Sequence, residues 1–151
     1  MDMTYPSWTY QGRIFNDITD FPQDTYGFIY EVFHKPTGMK YLGKKVLYFN
    51  RTLPPLKGQK RKRKVVKESD WKDYYGSHPQ IKDLIKECKD TNEWSVWEKK
   101  ILEICKSKKE LTYFECKYLF INEVLEGNNH QYINDNILGK FYRKDFIHEV
   151  K

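Results

Sequence analysis

Residues 26–45 read Tyr26-Gly-Phe-Ile-Tyr-Glu-Val-Phe-His-Lys-Pro-Thr-Gly-Met-Lys-Tyr-Leu-Gly-Lys-Lys45, a pattern that predicts two short strands joined by a tight turn. Residues 28–33 are aromatic and β-branched, as strands prefer, and a proline and a glycine mark the connection that follows. This hairpin brings Tyr30 close to Tyr41, and its second strand ends in Gly43 followed by two lysines. Such an ending favours an anionic ligand beside the two tyrosines.

The composition indicates one domain with an anionic partner. A chain of 151 residues can bury a core as a single domain, residues 1–151. Its formal net charge of +6 favours nucleic acid first and a membrane surface second. No apolar run reaches the roughly 18 residues of a membrane span, and the first residues lack a secretory signal. Cys88, Cys105 and Cys116 show no metal-ligand spacing, which favours free thiols in a reducing compartment.

Two segments flank the hairpin. Residues 1–25 predict a mostly irregular N-terminal arm, with one short strand at residues 8–10 and aromatic side chains that pack on the body of the fold. Residues 44–69 predict a basic insertion loop, because Pro54 and Pro55 exclude a helix there. Seven of eleven consecutive positions in this loop are cations: Lys57, Lys60, Arg61, Lys62, Arg63, Lys64 and Lys67.

The cations of residues 57–67 favour contacts with a phosphate backbone, which add affinity rather than sequence specificity. A solvated mobile loop is the plainer interpretation of the same run. A nuclear-localisation signal is a further alternative.

Helical periodicity predicts two helices. Residues 80–89 place Ile81, Leu84, Ile85 and Cys88 at the spacing of one buried face. The second helix follows a capping-box pattern, Ser at position 107 and Glu at position 110, and residues 127–129 predict its end. Its apolar stripe comprises Leu111, Phe114, Tyr118, Ile121 and Leu125.

The remaining segments complete the predicted fold. Residues 93–105 are rich in strand formers and predict a third strand, with Leu102 and Ile104 facing the core. Residues 132–143 predict a polar and aromatic segment that packs back on the fold. Glu115 lies at the edge of the buried face of the second helix, where it is either a surface partner of nearby lysines or a functional carboxylate.

These residue types suit phosphodiester hydrolysis. The scissile phosphate needs cations to balance the extra charge of its transition state. A hard metal such as Mg²⁺ needs at least one carboxylate and keeps most of its waters. A tyrosine phenol can orient or deprotonate the attacking water when a metal or a lysine lowers the pKa of the phenol.

The arrangement of the two strands resembles the signature of the GIY-YIG nuclease superfamily. Residues 28–30, Phe-Ile-Tyr, are followed after ten residues by residues 41–43, Tyr-Leu-Gly. Four further segments are similar to phage-encoded, Seg-like endonucleases, and the resemblance covers roughly residues 8–143. They are the Gly-Lys-Lys after the second strand, residues 70–77, residues 105–118 and the late Tyr-Ile-Asn at residues 132–134.

This resemblance implies an α+β fold: a small three-stranded antiparallel sheet flanked by helices, with the basic insertion after the second strand. It implies that Tyr30 and Tyr41 contact the attacking water and the scissile phosphate. Gly43 would let the backbone approach the site, and Glu115 would bind Mg²⁺ or Mn²⁺. Asn134 would brace the site.

The family arginine is the residue that this chain matches least well. Arg51 has the spacing of that arginine, but the family places it on a helix that the following prolines exclude. Lys44, Lys45 or a cation from residues 60–64 could replace it. His34 and His78 are expected to contact phosphate or solvent.

The sequence therefore predicts a metal-dependent endonuclease that cuts double-stranded DNA, phage-encoded and homing-like, in the cytoplasm of a bacterial host. The alternative is a module of the same fold that binds nucleic acid or a protein but cuts weakly or not at all. An RNA-binding protein would explain the charge but not the set of tyrosines and glutamate. Target choice would come from residues 44–69, from the N-terminal arm or from a homodimer, which would also allow a double-strand break.

Overall fold

The computed structural model describes residues 6–126 and 131–146. The strands are β1 (Trp8–Tyr10), β2 (Arg13–Phe15), β3 (Gly27–His34), β4 (Met39–Val46), β5 (Tyr48–Leu53), β6 (Arg63–Glu68), β7 (Trp97–Cys105), β8 (Asn136–Ile137) and β9 (Phe141–Tyr142). The α-helices are α1 (Pro79–Thr91) and α2 (Lys108–Ile121), and 3-10 turns lie at Ile18–Asp20, Trp71–Asp73 and Arg143–Phe146. The fold is mixed α+β, as predicted. Within these described ranges, no helix is long and apolar enough to cross a membrane.

The main sheet has five strands, in the order β2-β1-β7-β3-β4, and the predicted three-stranded sheet is its β7-β3-β4 part. These three strands are antiparallel, and β1 adds to β7 in parallel. The prediction was wrong about the N-terminal arm, which forms a second hairpin instead of a single short strand. Gln11 and Gly12 connect that hairpin with positive φ angles of 49° and 81°, as a two-residue hairpin turn requires.

Each face of the main sheet buries its own apolar cluster. The face toward α1 buries a largely aromatic cluster that includes Trp8, Phe28, Tyr30, Trp71 and Ile81. The face toward α2 buries an aliphatic cluster that includes Ile29, Leu42, Leu111, Leu119 and Val124. The aromatic residues of the N-terminal arm do pack on the body, since Trp8, Phe15 and Phe21 are all buried.

A β-bulge in β7 separates two residues that were predicted to face one core. The pairing with β3 shifts register between Ile29 and Tyr30, so that Leu102 is left without a partner. Leu102 consequently packs on the α2 side of the sheet, whereas Ile104 packs on the α1 side.

The two predicted helices form, but α2 ends early. In α1, Ile81 and Cys88 are buried as expected. In α2, Ser107 accepts a hydrogen bond from the Glu110 backbone N–H, as predicted for its N-cap. The helix ends at Ile121; the Asn122 side chain then donates to the Tyr118 carbonyl at 2.7 Å, and Glu123 takes a positive φ of 51°. Ile121 is exposed and is not part of the apolar stripe, while the predicted stop at residues 127–129 lies outside the described residues.

The basic insertion is a hairpin, not a loop. Strands β5 and β6 pair along their whole length, from Tyr48 opposite Glu68 to Leu53 opposite Arg63. Both strands contain β-branched or aromatic residues, which favour strands, but the many lysines around them led to the prediction of a loop. The two prolines follow β5 and end it, so they do not interrupt the pairing. We call β5, β6 and the turn between them, residues 48–68, the basic hairpin.

Lys99 is a buried cation in the aromatic core. Its Nζ lies 4.3 Å from the ring centroids of both Trp8 and Tyr75, and it donates to the Lys72 carbonyl at 2.8 Å. Burial lowers the pKa of Lys99 from 10.5 to about 7, and the nearby Asp73 opposes this shift. The ring contacts and the carbonyl stabilise the ammonium but do not fully replace water.

We expect Lys99→Met to flatten the dependence of stability on pH. Between the folded pKa of about 7 and the ordinary value of 10.5, the unfolded chain holds a proton that the folded chain releases, so stability rises with pH in this window. The free energy of unfolding, measured in urea at several pH values, should rise more steeply for the unsubstituted protein than for the variant. Parallel curves would contradict the expectation.

Candidate active site

A polar cleft of about 540 Å³ runs along β4, the edge strand of the main sheet. Its walls are β4, the start of α1, the middle of α2 and residues 134–139. Four of the sequence-predicted site residues line it: Tyr41, Lys44, Glu115 and Asn134. Residues from three distant parts of the chain therefore meet at one edge of the sheet.

Asn134 ties the C-terminal segment to the exposed edge of β4. Its amide oxygen accepts from the Leu42 backbone N–H at 3.0 Å, and its amide nitrogen donates to the Leu42 carbonyl at 2.7 Å. The side chain thus takes the place of a neighbouring strand. Backbone bonds between Lys40 and the segment continue this pairing, from Lys40 N–H to Gln131 and from Ile133 N–H to Lys40. Asn134 therefore holds the C-terminal segment against β4.

Glu115 and Lys44 form an ion pair inside the cleft. Lys44 extends from β4 toward α2, where its Nζ lies 3.8 Å from the Glu115 carboxylate and 3.4 Å from the Thr112 hydroxyl. The Glu115 side chain is only 17% exposed, whereas that of Lys44 is 39% exposed. Burial raises the pKa of Glu115 above its ordinary value of 4.5, and Lys44 opposes that rise. Glu115 therefore presents a mostly buried carboxylate with one lysine partner to the cleft.

The two signature tyrosines lie at different depths. Tyr41 lines the cleft, while Tyr30 is 1% exposed and lies behind it in the aromatic cluster. Burial raises the pKa of both phenols, that of Tyr30 most strongly, with a further rise from Tyr74. A hydrogen bond with Ser77 partly offsets the rise for Tyr41. Tyr41 is therefore the tyrosine that is placed to contact a substrate.

Gly43 makes room for the Tyr30 phenol. A Cβ atom at Gly43 would lie 2.6 Å from the Tyr30 hydroxyl oxygen, which is closer than real contacts allow. The resemblance implied that this glycine lets the backbone approach the site. In the structure it lets a buried tyrosine reach the back of β4.

His78 lines the cleft, and from the sequence it was expected only to contact phosphate or solvent. It precedes α1, and its Nδ1 accepts a hydrogen bond from the Gln80 backbone N–H at 3.1 Å. Because Nδ1 is an acceptor there, the neutral ring carries its proton on Nε2, which lies 3.6 Å from the Asp135 carboxylate. His78 can therefore donate a hydrogen bond into the cleft. Its position directly before Pro79, at a helix start, is the sequence signal for this role.

Arg143 is a second contributor that was not predicted. Its guanidinium donates to the backbone carbonyls of Tyr132 and Asn134, at 2.9 Å and 2.6 Å. These bonds hold the segment whose amide completes β4. No local sequence pattern marks this arginine, because these two acceptors are main-chain atoms, which any residue type could supply.

The other predicted cations lie away from the cleft. Lys45 is buried on the face of β4 opposite to that of Lys44. There its Nζ contacts Asp70 at 2.6 Å and lies 3.9 Å from the Tyr74 ring centroid. Arg51 projects from the basic hairpin and does not line the cleft. The same holds for the predicted nucleic-acid contacts: Lys57, Lys60, Arg61, Lys62, Arg63, Lys64 and Lys67. His34 is buried against Trp97 and is not a phosphate or solvent contact.

The residues of the cleft fit a hydrated hard metal better than a fully protein-bound one. Within residues 6–126 and 131–146, no cluster of three or more His, Cys, Asp or Glu side chains could enclose an ion. Glu115 offers one carboxylate in a roomy, polar cleft. Mg²⁺ commonly binds through one or two carboxylates and retains several waters, so this donor set suits it.

Comparison with known proteins points to the same family as the signature. A family model described as "Putative endonuclease segE, GIY-YIG domain" matches residues 8–137, most of the chain. No curated protein and no solved structure matches the chain. The matched range begins with β1, ends with β8, and includes Tyr41, Lys44, Glu115 and Asn134. The chain belongs to the SegE-type family of GIY-YIG endonuclease domains.

Proposed function

We propose that this protein is a metal-dependent endonuclease that hydrolyses phosphodiester bonds in double-stranded DNA. The observation that carries the proposal is the mostly buried carboxylate of Glu115, which faces Lys44 in a polar cleft beside Tyr41. Family membership supplies the reaction class. The cleft supplies the acidic, cationic and phenolic groups that such a reaction uses.

Each residue of the cleft has a proposed role. Lys44 provides positive charge toward the scissile phosphate, where charge increases in the transition state. Tyr41 orients the attacking water or a phosphate oxygen, and Tyr30 positions the strand from behind. His78 donates from Nε2 to a phosphate oxygen or to the departing oxygen.

Glu115 would hold the metal, Mg²⁺ or Mn²⁺. When bound, such an ion supplies positive charge to the phosphate and lowers the pKa of a water. Asn134 and Arg143 keep β4 and the C-terminal segment in register beneath this site.

A plasmid assay tests the proposal. Supercoiled DNA should become nicked or linear with Mg²⁺ and stay intact with EDTA, and sequencing the ends would show which bonds are cut. We expect Tyr41→Phe to reduce the cleavage rate at least about 100-fold, which is the lower end of the range for loss of a general acid or base. Tyr113→Phe is the matched control, because Tyr113 is 64% exposed on α2 and does not line the cleft. Equal cleavage by both variants would refute the site assignment.

The ion pair predicts a pH dependence. Metal binding requires the Glu115 carboxylate to be deprotonated, and Lys44 lowers the pKa that burial has raised. Lys44→Ala should therefore move the acidic side of the pH–activity profile to higher pH and increase the Mg²⁺ concentration needed at any fixed acidic pH. Cleavage rates over a pH series at two Mg²⁺ concentrations would check this, and an unshifted profile would contradict it.

One observation favours the alternative, a DNA-binding module that cuts weakly. Within the described part of the chain, no arginine lines the cleft, and Lys44 is the cation nearest Glu115. A lysine cannot make the bidentate contact that an arginine makes with a phosphate. Salt-sensitive binding of duplex DNA without cleavage in Mg²⁺ or Mn²⁺ would support this alternative over the nuclease.

The wider setting that we propose follows the family. The protein would be phage-encoded and homing-like, and it would act in the cytoplasm of a bacterial host. One cleft per chain cuts one strand, so a double-strand break would need a homodimer or two visits. End mapping in the plasmid assay distinguishes nicks from paired cuts.

A further inference from the structure

The basic hairpin stands apart from the rest of the fold. Strands β5 and β6 pair only with each other among the described strands. Every residue of β6 is exposed, and Leu53 is the only residue of β5 that is partly covered. An isolated two-stranded hairpin is marginally stable in water, so this one would gain from a partner surface.

The two faces of the basic hairpin differ in charge. Residues paired across the strands share a face, and successive residues alternate between faces. We define the cationic face as the one that carries three cross-strand pairs: Phe49 with Lys67, Arg51 with Val65, and Leu53 with Arg63. The neutral face consists of the pairs Tyr48 with Glu68, Asn50 with Val66, and Thr52 with Lys64. The cationic face carries three positive charges and no negative one, whereas Lys64 and Glu68 cancel on the neutral face.

The base of the hairpin is fixed to the body. Ser69, directly after β6, binds the two residues directly before β5: its hydroxyl donates to the Val46 carbonyl at 2.6 Å and its N–H to the Leu47 carbonyl at 2.8 Å. Lys45 Nζ lies 5.0 Å from the Phe49 ring centroid on the cationic face. The direction of the hairpin relative to the cleft is therefore set by the body of the fold.

A surface with more lysines than carboxylates links the cationic face to the cleft. Lys45 also contacts Tyr74, which lines a shallow pocket with three lysines of α1, Lys82, Lys86 and Lys89, and with two carboxylates, Asp70 and Asp73. Gly76 lines this pocket as well, and the next three residues, 77–79, form a wall of the catalytic cleft. A duplex lying across α1 could reach the cleft and the cationic face together.

The shape of the hairpin suits one kind of groove. Six residue pairs extend about 20 Å at roughly 3.4 Å per residue. The major groove of B-form DNA is about 12 Å wide and admits a two-stranded ribbon, whereas the major groove of duplex RNA is too narrow for side chains to read. Arg51 lies in the middle of β5 and, within the described structure, has no side-chain hydrogen bond or ion pair. It is free to make the bidentate contact that arginine makes with guanine.

We propose that the basic hairpin enters the major groove of duplex DNA by its cationic face, with Arg51 contacting a guanine and Arg63 and Lys67 contacting phosphates. This proposal rests on the proposed function for its substrate, duplex DNA. It assigns sequence recognition to the hairpin, beyond the nonspecific affinity that its charge provides.

Binding experiments in EDTA test the proposal without any cleavage. The full-length chain is used to select duplexes from a random-sequence pool, and affinities are then measured for the selected duplex and for a scrambled one. Arg51→Lys should reduce the preference for the selected duplex by about 5- to 150-fold, the value of one bidentate contact, while leaving the salt dependence unchanged. Dimethyl sulfate should show protection of guanine N7, which lies in the major groove.

Two lysines on one strand provide the matched control. Lys67→Ala, on the cationic face, should weaken binding to both duplexes equally and reduce the slope of log affinity against log salt by about 0.9. Lys64→Ala, on the neutral face, should reduce that slope by less than Lys67→Ala does. Thermal melting of each variant confirms that it is folded, which we expect because these side chains are exposed.

The outcomes separate the two proposals. Equal effects of the two lysine variants, an unchanged preference in Arg51→Lys, no preferred sequence in the selection, or protection of adenine N3 alone would overturn the role of the hairpin. Tighter binding of duplex RNA than of duplex DNA would also overturn it. Guanine protection that depends on Arg51, in a protein that never cuts a plasmid, would support the hairpin while refuting the nuclease. Plasmid cleavage together with an unchanged sequence preference in Arg51→Lys would support the nuclease and refute the role of the hairpin.

Discussion

Glu115→Gln is expected to reduce DNA cleavage at least about 100-fold while leaving the melting temperature unchanged or higher. The glutamine keeps the shape of the side chain but removes the charge that would hold a metal. Because burial raises the pKa of Glu115, the charged form costs the folded state free energy that the neutral amide does not. Loss of activity without loss of stability is the result that a metal ligand predicts and that a structural ion pair does not.

The measurements are cleavage rates in Mg²⁺ and thermal melting in EDTA. Glu98→Gln is the matched control, since the Glu98 side chain also lies 3.8 Å from one lysine, Lys35, but is 62% exposed on β7 and does not line the cleft. It should cut at the unsubstituted rate. If the Glu115 variant also cuts at that rate, Glu115 is not the metal ligand.

Asn134→Ala is expected to lower both stability and cleavage. The substitution leaves the N–H and the carbonyl of Leu42 without partners in a buried place. Each such group costs about 1–3 kcal/mol, so we expect a loss of roughly 2–6 kcal/mol for the two groups. For a chain of this length, about 2–4 °C is lost per kcal/mol, which gives a fall in melting temperature of roughly 4–24 °C.

A second substitution at the same position isolates the hydrogen bonds from the loss of volume. Asn134→Asp retains the acceptor for Leu42 N–H, but the carboxylate cannot donate to the Leu42 carbonyl unless it is protonated. The stability of this variant should therefore rise as the pH falls, relative to the unsubstituted protein. Asn16→Ala, in an exposed loop, is the control and should melt as the unsubstituted protein does. A pH-independent difference would mean that the amide serves only to fill space.

The parts of the fold that depend on neighbouring residues could be predicted from the sequence. The central hairpin, the buried face of α1 and the Ser107 cap each depend on spacings of a few residues. The strand β2 was missed because a turn of Gln11 and Gly12 is a weak signal beside the usual Asn-Gly or Asp-Gly. The basic hairpin was missed because its charges suggested a solvated loop. A segment rich in charged residues can still form paired strands when the residues between the charges are β-branched or aromatic.

The sequence predicted several of the residues that line the cleft, but not how deeply each one is buried. Tyr41, Lys44, Glu115 and Asn134 do come together in one cleft. Arg51 was a poor candidate for it because its spacing was counted along the chain, whereas the turn at Leu47 directs the chain away from the cleft. The depth of Tyr30 could not be read from the sequence, since it depends on β1 and Trp71 covering that face of the sheet.

The pairing of residues 131–134 with β4 has a consequence for how copies of this protein can associate. An open edge strand is a template onto which another chain can add, and natural proteins cover or shorten such edges. Here the edge between Lys40 and Leu42 is already occupied by main-chain and amide groups of the same chain. A second copy could not extend the sheet there without first displacing the segment that completes the cleft. If the proposed function holds, a dimer that joined at this edge would lose the segment that lines the cleft, so a pair of active sites would be expected to form through other surfaces.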